Sequence, residues 1–335
     1  MKESLTNVER KRQMVYAPVI IPTCNRIEHL KKCINSLASN EFAKFTEIYI
    51  SVDFPPSEKY EKGYNEVINY LKGGIGGFKE VFVYIQEKNL GPSENANFLA
   101  NQIKSYDRWI FTEDDNEFSS NFLEYMDICL QEFEEDESIL TVCGFPEGEK
   151  ITTSIGTAYK SSYFQPYGYG TWRRKWKQYE EEKEKVILDK NKGKMKFQRE
   201  MYCKNPWLFR VYVNDILYRR RNIFWNEDGK LKSVDGVIQL YIAYSNKYSI
   251  FPIKPKARTW GNDGSGYTME KNEEIDPLKE WILDDDKRFE LNLINCESNR
   301  AKTPQRGLSA KKYNVKLWIK YIYCRMFKRG TKSWV

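Results

Sequence analysis

Over its first 144 residues the chain alternates between two hydrophobic periods, and that alternation leaves few folds open to it. Five short apolar runs have the length and composition of strands: Tyr16-Ala17-Pro18-Val19-Ile20-Ile21-Pro22, Glu47-Ile48-Tyr49-Ile50-Ser51-Val52-Asp53, Val81-Phe82-Val83-Tyr84-Ile85, Trp109-Ile110-Phe111-Thr112 and Leu140-Thr141-Val142-Cys143-Gly144. Between them, apolar residues recur at helical spacing. Leu30, Cys33, Ile34 and Leu37 mark one helix, Tyr64, Val67, Ile68 and Leu71 a second, residues 95–106 a third, and Phe122 to Leu130 a fourth. Strands that are apolar throughout are buried on both faces, and helices that connect them cross over right-handed. The expectation is therefore an α/β fold with a mostly parallel central sheet flanked by helices. Pro22 is expected to close the first strand, because proline cannot donate to a ladder.

The fourth strand runs without a break into Glu113-Asp114-Asp115. Open parallel sheets bind ligands outside the carboxyl ends of their strands, which is where these acids stand. Adjacent carboxylates repel one another unless a cation sits among them, and oxygen-only ligands suit Mg²⁺ or Mn²⁺. A solvated acidic turn is the alternative reading of the triplet alone. The second strand also ends on an acid, Asp53, ahead of a Phe54-Pro55-Pro56 turn.

Composition removes several other chemistries. A single histidine, His29, argues against a Ser-His triad or a histidine metal site, and seven scattered cysteines without a CxxC pair argue for reduced thiols. Residues 1–13 are polar and charged, without the apolar core of a signal peptide, and no apolar run approaches the ~20 residues of a membrane span. These features predict a cytoplasmic protein. The net charge of +7 is concentrated: eleven of the 54 basic residues, and none of the 47 acidic ones, lie in 298–335, so the body is mildly acidic.

After Gly144 the regularity fades. Residues 163–176 are dense in aromatics and glycine, 180–196 read as a charged, exposed helix, and 211–218 and 234–244 as two more helices. Tyr248 to Ile253 reads as a late strand, followed by the glycine-rich Arg258-Thr259-Trp260-Gly261-Asn262-Asp263-Gly264-Ser265-Gly266. The chain divides into a lead-in (1–15), two halves of one α/β domain (16–144 and 145–297) and a basic tail (298–335).

The ordered set Ile21-Pro22-Thr23-Cys24-Asn25-Arg26, Ser51-Val52-Asp53, Asn89-Leu90-Gly91, Thr112-Glu113-Asp114-Asp115 and Gly168-Tyr169-Gly170-Thr171-Trp172, with the late Asn262-Asp263-Gly264-Ser265-Gly266 loop, resembles the nucleotide-sugar-dependent glycosyltransferases of GT-A fold. It is closest in kind to the family-2-like enzymes of bacterial surface polysaccharides, lipopolysaccharide among them. The triplet is also similar to that of eukaryotic N-acetylglucosaminyltransferase I, a metal-dependent inverting enzyme. The resemblance implies a Rossmann-like GT-A sheet, a hexosyl- or N-acetylhexosaminyltransferase activity, and a nucleotide-sugar donor, a UDP-sugar first, held with Mn²⁺ or Mg²⁺. It implies that 16–144 binds the donor and 145–297 a glycan or lipid-linked acceptor. Asp115 is then the metal ligand, with Asp114 and Glu113 on the ribose or donor sugar, Asp53 near the nucleobase and ribose, and Pro22, Thr23, Asn25, Arg26 and Asn89 lining the nucleotide.

The same layout places a general base at the start of a late helix, where Asp235 stands. Asp also serves there as a helix cap, and Asp263 competes for the role of base. Trp172, Tyr167 and Tyr169 offer flat surfaces for sugars or, alternatively, ordinary packing.

In the tail, Lys312, Lys316 and Lys320 form one face of a helical pattern and Val315, Trp318, Ile322 and Met326 another. That pattern suits a helix on an anionic membrane surface, peripheral to the inner face of the cell membrane, or else a helix docked on the domain. Two rival functions are a sugar nucleotidyltransferase and a basic-tailed nucleic-acid-binding protein. The first lacks its Gly-x-Gly-x-Arg signature here, and nucleic acid is not an expected partner of a body that is net acidic.

Overall fold

The computed structural model describes residues 14–146, 156–189, 224–265 and 282–294, together with Phe209, Tyr212, Ile216, Val315, Lys316, Ile319 and Ile322. The lead-in before Met14, most of the 211–218 helix, Gly266 and most of the tail lie outside these residues.

The first half follows the expected alternation: β1 (Val19–Thr23), α1 (Ile27–Ala38), β2 (Glu47–Val52), α2 (Glu61–Lys72), β3 (Glu80–Ile85), α3 (Pro92–Gln102) and β4 (Arg108–Phe111). A short β5 (Asn116–Phe118), α4 (Phe122–Glu132) and β6 (Ile139–Cys143) come next. The second half adds β7 (Ala158–Ser161), β8 (Tyr169–Trp172), α5 (Arg173–Leu188), α6 (Asp235–Ser245), β9 (Tyr248–Pro252), β10 (Ala257–Thr259) and β11 (Leu293–Ile294). Nine strands make one sheet in the order β11-β7-β9-β6-β8-β4-β1-β2-β3. β1 is parallel to both β2 and β4, and β2 to β3, whereas β8 is antiparallel to β4 and β6 and so separates this parallel block from a mixed one, in which β6 and β9 are parallel and β7 runs antiparallel to β9. Both halves of the chain share this sheet.

Pro22 does not close β1, which continues to Thr23. Residues 20 and 22 point their backbone groups to the β4 side, where the ladder pairs only Val19 and Ile20, and β1 reaches Thr23 through its pairing with β2. The third helix begins at Pro92, earlier than periodicity alone suggests. Gly91 takes φ +79° as its cap and Pro92 brings the backbone angle a first turn needs.

One apolar core lies under α1, α2 and α4, including Ile21, Leu30, Leu37, Val67 and Met126. A smaller one on the opposite face joins Ile20, Tyr49 and Trp109 to Leu99. A third, in the second half, gathers Tyr179, Ile187, Leu231, Val237 and Tyr241, with Ile322 of the tail packed on it.

Of the charged stretch 180–196, expected as an exposed helix, residues 190–196 lie outside the described residues, and the part within α5 is exposed on one face only. Lys175, Tyr179, Lys183 and Ile187, one to a turn, form the buried face of α5. The Lys175 ammonium ends on the carbonyls of Phe133 and Asp136 at 2.7 and 2.8 Å, so the stem is buried while the charge is solvated by the protein. Trp172 is likewise core, 2% exposed, with its indole N–H on the Leu130 carbonyl at 2.8 Å, which leaves no face for a sugar. No helix among the described residues is long and apolar enough to cross a membrane.

Candidate active site

The strand order 3-2-1-4 makes the carboxyl ends of β1 and β4 neighbours at a switch point, where connections leave in opposite directions and a crevice opens. Two of the sequence motifs meet there. Thr23 Oγ1 donates to Asp114 Oδ2 at 2.7 Å, and the Arg26 guanidinium forks onto both Asp114 and Asp115, reaching Asp115 Oδ2 at 2.8 Å. The cation expected among the acids is thus supplied, in part, by the chain itself. Burial raises Asp114 above the usual carboxylate range, with Arg26 opposing it. Asn25 is fixed from behind: α2 packs so closely on its carbonyl that a Cβ on Gly63 would stand 2.2 Å from that oxygen.

Asp53 faces the second loop. Its carboxylate accepts the backbone N–H groups of Leu90 and Gly91 at 2.8 Å each and the Asn89 amide at 3.3 Å. The turn it holds is therefore the 89–91 loop, not the Pro55 turn that follows it in sequence. Buried Asn95 ties the two loops together, donating to the carbonyls of Ser51 at 3.1 Å and Thr23 at 3.4 Å. A lone amide in a helix carries no sequence signal, and this residue was not foreseen. Cys24 sits between the groups, its thiol pushed up to about 11 by burial and by the charges of Asp53 and Asp114.

The glycine-rich loop returns to the triplet because β10 pairs antiparallel with β5, with Thr259 opposite Asn116. Trp260 N–H donates to the Asp115 carbonyl at 2.8 Å and its indole to Glu117 at 2.9 Å, while the Lys32 ammonium lies 3.7 Å from the indole centroid. Gly261 passes so near the triplet that a Cβ there would lie 2.3 Å from Asp115 Oδ2. Asp263 reaches His29 at 3.1 Å.

Glu113 behaves differently from its two neighbours. Its side chain is exposed where those of Asp114 and Asp115 are buried. The Asp235 side chain is exposed too. Burial, Asp115 and Asp235 push Glu113 up to about 8, so the two carboxylates face one space. Tyr169 borders it as well; burial and then the Asp235 charge raise its hydroxyl. Asp235 is the first residue of α6, with Val234 as cap and no capping bond from a side chain, and burial pushes it up to about 6. Helix α5 braces its approach. Glu184 accepts the Leu231 N–H at 2.9 Å, Lys183 donates to Ser233 at 2.7 Å, and Tyr241 donates to Glu182 at 3.0 Å.

Three side chains of the 163–176 stretch are taken up by the protein itself. Arg173 donates to the carbonyls of Tyr106 and Ile103, and Arg174 pairs with Glu137. Tyr167 packs edge-on against Phe145. A second acidic group, Asp284-Asp285-Asp286, is held by Lys254 and Lys256 and belongs to the wall of the first core.

The family model described as glycosyl transferase family 2 matches residues 19–217, more than half of the chain. The chain belongs to glycosyl transferase family 2. Its architecture is that of the GT-A fold. No curated protein matches it. Among solved structures, this family member is similar to TarS 1-349 of S. aureus, at 15% identity and a TM-score of 0.37, over 71% of this chain and 57% of that one. TarS 1-349 in complex with UDP-GlcNAc aligns at 16% identity and a TM-score of 0.37, over 71% and 55%. Mannosyltransferase PcManGT from Pyrobaculum calidifontis, in complex with GDP-Man and Mn²⁺, aligns at 11% identity and a TM-score of 0.35, over 48% of each chain. The chain thus spans little more than half of the TarS fragment it matches.

The acids here are of a type that suits a divalent cation. Asp114 and Asp115 share one guanidinium, and Glu113, outside that contact, is raised by burial first and then by the charges of Asp115 and Asp235. Oxygen ligands in an under-neutralised site suit Mg²⁺ or Mn²⁺, which are commonly held by one or two carboxylates together with substrate phosphates.

Proposed function

We propose that this glycosyltransferase moves a sugar from a nucleoside-diphosphate sugar, a UDP-sugar first among candidates, to a glycan or lipid-linked acceptor, with inversion and with Mn²⁺ or Mg²⁺. The pair of solvent-open carboxylates that face one space, Glu113 and Asp235, carries this reading. An acid pushed up to about 6 is ionised at neutral pH and still more basic than an ordinary aspartate, which suits it to take the proton of an acceptor hydroxyl. As that oxygen bonds to the anomeric carbon, the nucleoside diphosphate leaves from the opposite side. Asp263 is the poorer base: despite its burial, hydrogen bonds from Ser265 and the His29 charge keep it below the usual range.

On this reading the loops of 16–144 hold the donor. Pro22, Thr23, Asn25 and Arg26 line the nucleotide. Asp53 and Asn89 shape the ribose side, and Glu113 and Asp114 meet the ribose or sugar. Asp115 would hold the metal ion, which as a Lewis acid neutralises the departing diphosphate. Residues 145–297 supply Asp235 and the Tyr169 wall to the acceptor. The decisive test is donor binding across a nucleotide-sugar panel with Mn²⁺, Mg²⁺ or EDTA, for wild type and Asp115→Ala. Metal-dependent binding of one donor, lost in the variant, is expected; no binding to any donor under any condition would overturn the proposal.

A role in bacterial surface polysaccharide assembly, with the protein peripheral to the inner face of the cell membrane, draws support from the tail. Val315 and Ile319 are 48% and 60% exposed beside Lys316, while Ile322 packs inward. Full-length protein should pellet with anionic liposomes and a chain cut at Gly307 should not; equal pelleting would remove the membrane from the proposal.

A further inference from the structure

We infer that Arg26 is the site's resident counter-cation, and that the diphosphate of the donor must draw it away from Asp114 and Asp115 before a divalent ion can settle there. The inference rests on the donor and metal reading above and adds an order to it. The guanidinium spans the two carboxylates, one nitrogen to each. The other Asp114 oxygen is taken by Thr23 at 2.7 Å, and the other Asp115 oxygen faces Thr259 Oγ1 at 3.4 Å. Beside Asp115 Oδ2, already bonded to Arg26, the Gly261 backbone leaves no room even for a methyl group. A small divalent ion needs a carboxylate oxygen at ~2.1 Å and brings its own water shell, so it competes with Arg26 for the same atoms. Its charge also repels a guanidinium a few ångströms away in a partly buried site.

Arg26 has a way out. Its carbonyl is fixed by the Leu30 N–H at 3.0 Å, so the backbone stays with α1, but the side chain is 17% exposed at the crevice. A diphosphate offers the same bidentate geometry as a carboxylate pair, so moving onto it exchanges one set of charge-assisted bonds for another. Donor binding thereby frees the two acids at the moment the diphosphate brings further oxygen ligands. Metal loading is thus made dependent on the nucleotide.

The test is Mn²⁺ binding to the full chain, followed by electron paramagnetic resonance of the free ion, with and without UDP or GDP and corrected for ion held by free nucleotide. Wild type should gain at least ~10-fold in Mn²⁺ affinity with the matching nucleotide, as expected for removing a like charge from the site. Arg26→Gln should reach a similar affinity without nucleotide, and Mn²⁺ should raise its unfolding temperature more than that of wild type. Arg26→Lys, which keeps the charge but cannot span both acids, should fall between, and serves if the glutamine variant does not fold. Should wild type show the nucleotide effect while neither variant binds Mn²⁺ more tightly than wild type alone, the metal site stands and the role of Arg26 is refuted. If wild type binds neither nucleotide nor Mn²⁺, the donor reading fails and takes this inference with it.

Discussion

Asp235→Asn separates the two jobs this residue can hold, because they predict stability changes of opposite sign. Burial raises its carboxyl from 3.8 to about 6. A group raised on folding adds stability below its unfolded value and loses that contribution as pH rises through the folded value, so ionised Asp235 is a burden above pH 6. The shift corresponds to ~3 kcal/mol at 1.36 kcal/mol per unit. Water reaches this side chain, which screens the effect and brings the expected figure to ~1 kcal/mol. Asparagine, equal in size and uncharged, should therefore stabilise the protein by ~1 kcal/mol at pH 8 and leave it unchanged at pH 4. A residue present only to favour the start of α6 would instead lose about 0.3–1 kcal/mol at pH 8 when its charge is removed. Loss of a positioned base should lower donor turnover by ~10²–10⁴-fold without weakening donor binding. In wild type, kcat/KM should rise about tenfold per pH unit below about 6 and level off above it. Urea titration at the two pH values and donor hydrolysis assayed alongside nucleotide-sugar binding measure all of this. Turnover kept in the variant with donor affinity unchanged, or stability lost at pH 8, would refute the assignment.

Two further substitutions probe the walls of the site. Gly261→Ala puts a methyl group 2.3 Å from Asp115 Oδ2, whose carboxylate Arg26 already holds, so the loop must lift. A loss of about 1–3 kcal/mol and weaker donor binding are expected, and a thermal melt and donor titration both equal to wild type would show that the close approach is dispensable. Lys256→Met leaves Asp284, buried and bonded to Asn121 at 3.0 Å, with only Lys254 opposite, and should cost about 3 kcal/mol at pH 7. Against its burial, Asn121 and Lys256 hold Asp284 down to about 2, so the stability it contributes is present above the ordinary carboxylate range and disappears as pH falls toward 2. The gap between wild type and variant, read from urea midpoints at pH 7 and pH 2.5, should therefore narrow in acid, and a constant gap would contradict this account.

The first half was legible because its signals are local. β1, β2 and β4 are apolar enough to be read as strands buried on both faces, whereas β3, read the same way, is the edge strand and leaves Val83 and Ile85 exposed; the first two helices show their buried stripes in Leu30 to Leu37 and Val67 to Leu71. A strand that stops on acids locates its own carboxyl end, so the triplet, Asp53 and the Arg26 loop fall at the crevice once the sheet is parallel. The second half was harder to read for a physical reason. Helix α5 buries Lys175 and Lys183 by ending their ammonium groups on carbonyls, a carboxylate and a hydroxyl, and all of these partners but Glu180, one turn away, are distant in sequence. Charge alone therefore pointed to the wrong face. Trp172 looked available to a sugar for the same reason: the Leu130 carbonyl that takes its N–H belongs to another helix.

The site itself shows which kind of inference survives this difficulty. The sequence could say that three carboxylates need a cation, because repulsion between neighbours depends only on their being neighbours. It could not say that the chain supplies one to two of them, since Arg26 and Asp114 meet only after β1 and β4 pair. That division has a consequence for the third. Glu113, left without the guanidinium's direct contact, is pushed up to about 8 by burial and then by the charges of Asp115 and Asp235, so it keeps its proton at neutral pH. A site that neutralises two acids internally and leaves a pair of acids to the cleft favours whatever brings positive charge or protons to that cleft. A metal-bound donor brings the first and an acceptor hydroxyl the second, so the chemistry proposed here follows from the imbalance as much as from any single residue.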